Sequence, residues 1–237
     1  MITVAIPYYN NEKYLEKTLE LPLSSDFVSE IIIHDDCSDN IIQSDHPKIK
    51  IYRNEHNLGA FKNKYLAVSK STNEWVYLLD SDNYFFENSL DAIKNISPQR
   101  GRYYSPSQLH LVDDGLDSSL NGRVVKYDFG TVDANKAKSL LIEDNQDFHW
   151  LINTGNFFVH RDDYIQSMKP VFEDPNYPYF EADAIVFCYN WLKSGNSIEV
   201  VDELWYNHTL RSNSYSHSVG NRNTGSLEYH RSLMVQL

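Results

Sequence analysis

Only two cysteines, Cys37 and Cys188, occur in the 237 residues, and they lie far apart in the chain. That excludes a disulfide framework and the paired spacing of a structural zinc site, and it makes a reducing cytoplasm the expected compartment. No run approaches the roughly 18 to 20 continuous apolar residues that a membrane-spanning helix needs. The opening MITVAIPYYNN has no basic stretch ahead of its apolar residues, so no cleaved leader is expected. Positive charge is the minority: 21 Lys and Arg face 33 Asp and Glu, for a formal net charge of −12. With no basic cluster to offset this, a nucleic-acid backbone would be repelled, and no nucleic-acid partner is expected. An acidic protein that handles a phosphorylated ligand needs a source of positive charge, and a divalent cation is one. Glycine is missing from the loop PYYNNEKY after the first apolar run, where a nucleotidyltransferase would carry a glycine-rich, basic loop for a triphosphate.

What is present is an alternation of strand and helix signals. ITVAIPYY (2–9), VSEIIIHDD (28–36), KIKIYRN (48–54) and EWVYLLD (74–80) read as strands. Between them, NNEKYLEKTLELPL places Tyr14, Leu15, Thr18 and Leu19 at helical spacing, with Asn10 or Asn11 as cap. NLGAFKNKYLAVSKS is amphipathic through Phe61, Tyr65, Leu66 and Val68. Continuous apolar strands separated by helices predict an open, mostly parallel α/β sheet covered on both faces. The second half is less regular. It predicts strands over 102–113, 123–130 and 197–209, helices over 132–144 and 180–195, a strand turning into a helix capped by Asp162 within 154–168, and a mobile polar loop over 211–226.

Ligands of open α/β sheets bind beyond the carboxyl ends of the strands. Three predicted strands end there in polar or acidic residues: Pro7 to Asn10, Asp35 and Asp36, and Asp80, Ser81 and Asp82. Asp is disfavoured in strands and costly when buried without a partner, so the acids that end VYLLDSD ask for something positive. If the segment stays extended, Asp80 and Asp82 project to one side and present two hard oxygen donors suited to Mg²⁺ or Mn²⁺. The same Asp-Ser-Asp-Asn string is also good turn and cap chemistry.

The ordered segments VAIPYYNNEKYLEKTL, IIIHDDCSDN, RNEHNLGAFKNKYLAVSKSTNEWVYLLDSDNYF, TGNFFVHRDDY and FEADAIVFCYNWLKSG, followed by YNHTLRSNSYSH, resemble those of family 2 glycosyltransferases across nearly the whole chain. The resemblance implies a GT-A fold in one domain spanning 1–237. Its parts are a nucleotide-sugar half (1–95), an acceptor and catalytic half (96–210) and a flexible C-terminal segment (211–237). It implies a metal-dependent, inverting transfer of a sugar from a nucleotide-sugar, expected to be a UDP-sugar, to the hydroxyl of a glycan or lipid-linked acceptor. Bacterial-type surface polysaccharide is the implied context, with at most peripheral contact with the inner face of a membrane.

Carried over by position, Pro7, Tyr9, Glu12 and Asn57 lie around the nucleotide, with Ser81 beside them. Asp35 or Asp36 accepts the imide proton of a uracil-type base. Asp80 meets the ribose or the metal shell, Asp82 binds Mn²⁺ or Mg²⁺ directly, His208 completes that shell as a neutral imidazole, and Arg211 pairs with a phosphate. Asn153, Thr154, Gly155 and Asn156 line the acceptor side. An inverting transfer needs one base opposite the leaving group. The family pattern places it at a helix start, here Asp183, with Glu181 as the alternative. The string Glu181-Ala182-Asp183 departs from the adjacent Glu-Asp frequent in the family, which keeps a non-catalytic nucleotide-sugar-binding or scaffold subunit in view; a nucleotidyltransferase is the other alternative.

Overall fold

The computed structural model of the chain describes residues 1–177, 182–211 and 221–237. Its first part alternates as the sequence predicts: β1 (Ile2–Tyr8), α1 (Glu12–Ser24), β2 (Val28–Asp35), β3 (Ile49–Arg53), α2 (Ala60–Ser69) and β4 (Trp75–Leu78). These strands pair in parallel in the order β3-β2-β1-β4. Alternation along β1 sends Ile2, Val4, Ile6 and Tyr8 into one core and Ala5 into the other. In the same way Val76 and Leu78 of β4 face one side, and Tyr77 and the following Leu79 face the other. The Ile6 face is covered through Leu19 of α1 and through Leu90 and Ile93 of α3 (Ser89–Asn95). The Ala5 face is covered through Phe61, Ala67 and Val68 of α2 and by helices of the second half.

That second half continues the same sheet. A two-residue strand β5 (Tyr84–Phe85) precedes α3, and β6 (Arg102–Asp114), β7 (Val124–Lys126), β8 (Thr131–Val132), α4 (Ala134–Ile142), α5 (Gln146–Ile152), β9 (Phe157–His160), α6 (Arg161–Glu173), α7 (Asp183–Lys193), β10 (Ser197–Arg211) and α8 (Asn221–Met234) follow. The order β3-β2-β1-β4-β9-β6-β10-β5 runs through one ten-stranded sheet. β9 enters antiparallel to β4, and β6 with β10 forms a long parallel ladder. The core under α7 is aromatic: Trp191 is fully buried against Tyr103 and Phe187 and donates its indole N–H to the Ser197 carbonyl at 2.7 Å.

Several local expectations shift. The strand expected over 123–130 forms only at Val124–Lys126, and β8 is a separate pair against β10. The helix after β9 starts at Arg161, not after an Asp162 cap. The loop expected through residue 226, within the segment expected to be flexible to 237, gives way at Asn221 to α8, which packs on α7. Its buried Ser226, His230 and Met234 lie at helical spacing and supply the inward face. No helix among the described residues is long and apolar enough to cross a membrane.

Candidate active site

A cleft of about 980 Å³ opens at the carboxyl ends of β1, β2 and β4, and residues from α2, α7 and β10 close its other walls. Two asparagines tie its floor together. Asn10 adopts a left-handed φ of +48°, a conformation asparagine tolerates, and its side chain exchanges hydrogen bonds with Asp39 beyond β2. Asn11 precedes α1 but does not cap it through its side chain. Instead its Nδ2 donates to Ser81 Oγ at 2.6 Å, while its Oδ1 accepts from Arg211 at 2.6 Å.

The Asp80–Asn83 segment is a turn, not the extended strand on which the shared projection of its acids was predicated: Asn83 N–H donates to the Asp80 carbonyl at 3.0 Å. The turn chemistry of Asp-Ser-Asp-Asn therefore wins locally. β10 fastens this turn, because Thr209 donates its N–H to Asn83 Oδ1 at 3.0 Å and its hydroxyl to the Asp82 carbonyl. From the other side Asn156 Oδ1 accepts the Asp80 N–H at 2.7 Å. Asp80 and Asp82 both still border the cleft.

Each of these acids meets a cation of the chain. Asp80 Oδ1 lies 2.7 Å from Lys64 Nζ, and Asp82 Oδ2 lies 2.6 Å from Arg211 Nε. Lys64 also reaches Asp183 Oδ2 at 2.5 Å, so one buried ammonium joins the acid after β4 to the acid that begins α7. Burial works against that charge, but Asp183 and Asp80 outweigh it and raise the Lys64 pKa above its ordinary value. Gly155 leaves room for the group: a Cβ there would stand 2.6 Å from Lys64 Nζ and 2.8 Å from Asp80 Oδ2.

His208 borders the same cleft, and its Nδ1 has no hydrogen-bond partner. Burial lowers its pKa against the opposing pull of Asp82 and Asp80, which favours a neutral imidazole. Among the described residues no group of three or more His, Cys, Asp or Glu side chains is arranged to hold a metal ion. The donor types nevertheless suit a hard divalent cation: two carboxylates and a neutral histidine border one space, with Lys64 and Arg211 as the charges balancing the acids.

The remaining predicted residues divide. Pro7, Tyr9, Asn57, Ser81, Arg211, Asn153, Thr154, Gly155 and Asp183 border the cleft. Of the two candidate base-reading acids, Asp36 borders it and Asp35 does not. Asp35 is buried and committed to the N–H and hydroxyl of Ser38 and to Arg53. Asp36 accepts from Asn54 Nδ2 and the Leu58 N–H at Oδ1, each at 2.8 Å, and from the Gly59 N–H at Oδ2, at 2.9 Å. A carboxylate has about four acceptor sites, so one is left after these three contacts. Glu12 is not part of the cleft wall; it is exposed and accepts from Asn40. Asn156 lies behind the wall as the brace on Asp80, and the Thr154 hydroxyl is engaged with Tyr127 and the Trp150 carbonyl. Glu181 lies outside the described residues.

Lys64 and Asn11 are the residues the sequence reading missed. A signal for Lys64 existed: Phe61, Lys64 and Val68 share one helix face by their i, i+3, i+7 spacing, so a lysine stands in the inward stripe of α2.

Comparison with known proteins agrees with this geometry. An uncharacterized glycosyltransferase of Haemophilus influenzae is 28% identical over 125 residues, covering 49% of this chain and 42% of that protein. The poly(ribitol-phosphate) beta-N-acetylglucosaminyltransferase TarS of Staphylococcus aureus is 31% identical over 102 residues, 37% of this chain and 17% of TarS. The chain thus spans less than half the length of these curated relatives. The structure of TarS 1–349 in complex with UDP-GlcNAc superposes with a TM-score of 0.53 at 19% identity, covering 92% of this chain and 60% of that one. GalNAc-T7 with UDP, GalNAc and Mn²⁺ gives a TM-score of 0.64 at 15% identity, covering 98% of this chain and 48% of that one. These likenesses show the GT-A fold. Residues 3–95, which carry the floor of the cleft and both acids of the turn, match the model of Glycosyl transferase family 2.

Proposed function

We propose that the chain transfers a sugar from a UDP-sugar to a hydroxyl of a glycan or lipid-linked acceptor, with inversion at the anomeric carbon. One observation carries this reading: a single cleft gathers Asp36, Asp80, Asp82, His208, Arg211 and Asp183 from four separate segments of chain.

The donor half follows from chemistry. Asp36 has one acceptor site left, and a uracil imide offers one donor. Tyr9, 46% exposed at the cleft edge, offers a ring face to the nucleotide. The forked Arg211 guanidinium suits a phosphate. Asp82, Asp80 and His208 would hold Mn²⁺ or Mg²⁺, which supplies neutralisation of the charge that develops on a departing diphosphate. The presence of UDP-GlcNAc in one superposed structure, and of UDP with Mn²⁺ in the other, favours these ligands.

Asp183, at the start of α7, takes the acceptor hydroxyl proton as that oxygen bonds to the anomeric carbon and the nucleotide diphosphate departs. Asn153 and Gly155 border the same cleft and would contact the acceptor. Polysaccharide synthesis is the context of this reading, and the likeness to TarS, named for transfer to a poly(ribitol-phosphate), supports a polymeric acceptor.

The test is a thermal-shift panel of nucleotides with and without Mn²⁺, paired with sugar release from UDP-sugars. Stabilisation by UDP that requires Mn²⁺ is expected. Indifference to every uridine nucleotide with Mn²⁺ present overturns the proposal.

A further inference from the structure

Lys64 is buried on the inward stripe of α2, yet it touches neither the base-reading acid nor the turn's second acid. Its two partners come from different segments of the chain, the turn after β4 and the start of α7. Asp80 belongs to the donor wall, and Asp183 opens α7, whose preceding residues 178–181 lie outside the described structure. Asp183 has no side-chain cap role of its own, since the helix is preceded by Ala182 with no side-chain cap bond. Among the described residues, the contact made by its carboxylate is with the ammonium, at 2.5 Å. A second observation is independent of the ion pairs. Gly155 takes no left-handed φ, so its backbone does not demand glycine. What it supplies is space, because a methyl group there would push on Lys64 Nζ and Asp80 Oδ2 together and the ends of these side chains would have to shift.

We infer that Lys64 is a positioning residue that aims the Asp183 carboxylate into the cleft from the donor acid Asp80, and that Gly155 is present to leave room for that bridge. The inference rests on the proposed transfer only for its kinetic consequence. A hydroxyl proton is taken efficiently only by a base held in place, and a misplacement of about 1 Å costs roughly 10²-fold in rate. Of the residues assigned to the donor and its metal, Lys64 touches Asp80 alone, while Asp36, Asp82, His208 and Arg211 keep their places without it, so turnover should fall much further than donor affinity.

The experiment compares wild type with Lys64→Met, Gly155→Ala and the double variant. Transfer kcat, UDP affinity in Mn²⁺ and the side-chain ¹³C shift of the Asp183 carboxylate are read for each, with melting curves to confirm folding. Expected are a roughly 10²-fold loss of kcat in Lys64→Met with UDP affinity held within about threefold, and a loss in the same direction in Gly155→Ala. The double variant should be no worse than Lys64→Met alone, because both changes break one bridge. Losses that multiply, a parallel collapse of UDP affinity, or unchanged kcat overturn the inference. Wild-type protein that binds no uridine nucleotide sinks the proposed transfer instead. The carboxylate shift then still decides this inference: it moves in both single variants if the bridge exists, and a shift that stays put in either one overturns it.

Discussion

Replacing Asp183 with Asn keeps the shape of the residue and removes its charge and basicity. In the structure the carboxylate is paired with Lys64 at 2.5 Å. Lys64 keeps Asp80 at 2.7 Å, so the substitution does not strand an unpaired buried ammonium, the event that makes a broken buried pair cost about 3–5 kcal/mol. The amide oxygen can still accept from Nζ, which leaves a structural cost nearer the difference between a charged and a neutral hydrogen bond, about 1–2 kcal/mol. For a chain of this size that lowers Tm by roughly 2–8 °C. The catalytic cost is separate and larger. A positioned general base contributes typically about 10²–10⁴ in rate, or about 2.7–5.4 kcal/mol of barrier. Asp183→Asn should therefore melt close to wild type, bind UDP in Mn²⁺ with nearly unchanged affinity, and lose about two to four decades of transfer kcat. Single-turnover transfer with saturating donor, set beside isothermal titration with UDP, separates the two. Transfer within about threefold of wild type would falsify the assignment of Asp183 as base.

Asp82→Ala should remove the Mn²⁺-dependent part of UDP stabilisation while leaving the fold intact, and an unchanged shift in Mn²⁺ would argue against a metal role. Trp191→Ala empties a fully buried site against Tyr103 and Phe187 and should cost about 3–5 kcal/mol in urea unfolding, with no selective effect on UDP binding. Glu30 is buried; burial raises its pKa, but hydrogen bonds from Lys50, Thr3 and Thr72 outweigh this and leave it below the usual 4.5. A lowered folded-state pKa means that the native state binds the proton less readily than the unfolded chain. The stabilisation is therefore full above pH 4.5 and is lost as pH falls through the folded-state value. Urea midpoints measured from pH 6 to pH 3 should fall less steeply in Glu30→Gln than in wild type, and equal slopes would refute the linkage.

The first half of the fold was legible because its strands are apolar runs buried on both faces and its helices carry clean stripes. Local pattern and tertiary environment agree there. The second half hides its order. The partner of β6 is β10, about 90 residues later, and nothing local in RYYSPSQLHLVD announces a parallel neighbour so distant. Strand β5 has only two residues, too few for any period to show. At the site, the acids and their strand-end placement were readable, since Asp at the end of an apolar run calls for a partner. Which partner was not. The charges that meet Asp80 and Asp82 come from positions 64 and 211, and only the fold brings them there. Which of Asp35 and Asp36 borders the cleft was likewise hidden, because two adjacent acids at a strand end look alike in sequence. Asn11 read as a helix cap because Asn before a helix usually is one, and here its side chain serves Ser81 and Arg211 instead.

The return of β10 to the Asp80–Asn83 turn bears on how such enzymes can be recombined. Residues 3–95 look like a portable cassette, but the turn that carries Asp80 and Asp82 is latched by Thr209 and Arg211, more than a hundred positions downstream. A chimera joined near residue 95 would inherit a foreign latch along with its new acceptor wall. Grafts that also carry residues 207–211 from the donor parent should keep nucleotide affinity, and those that do not should lose it even though every donor acid is present.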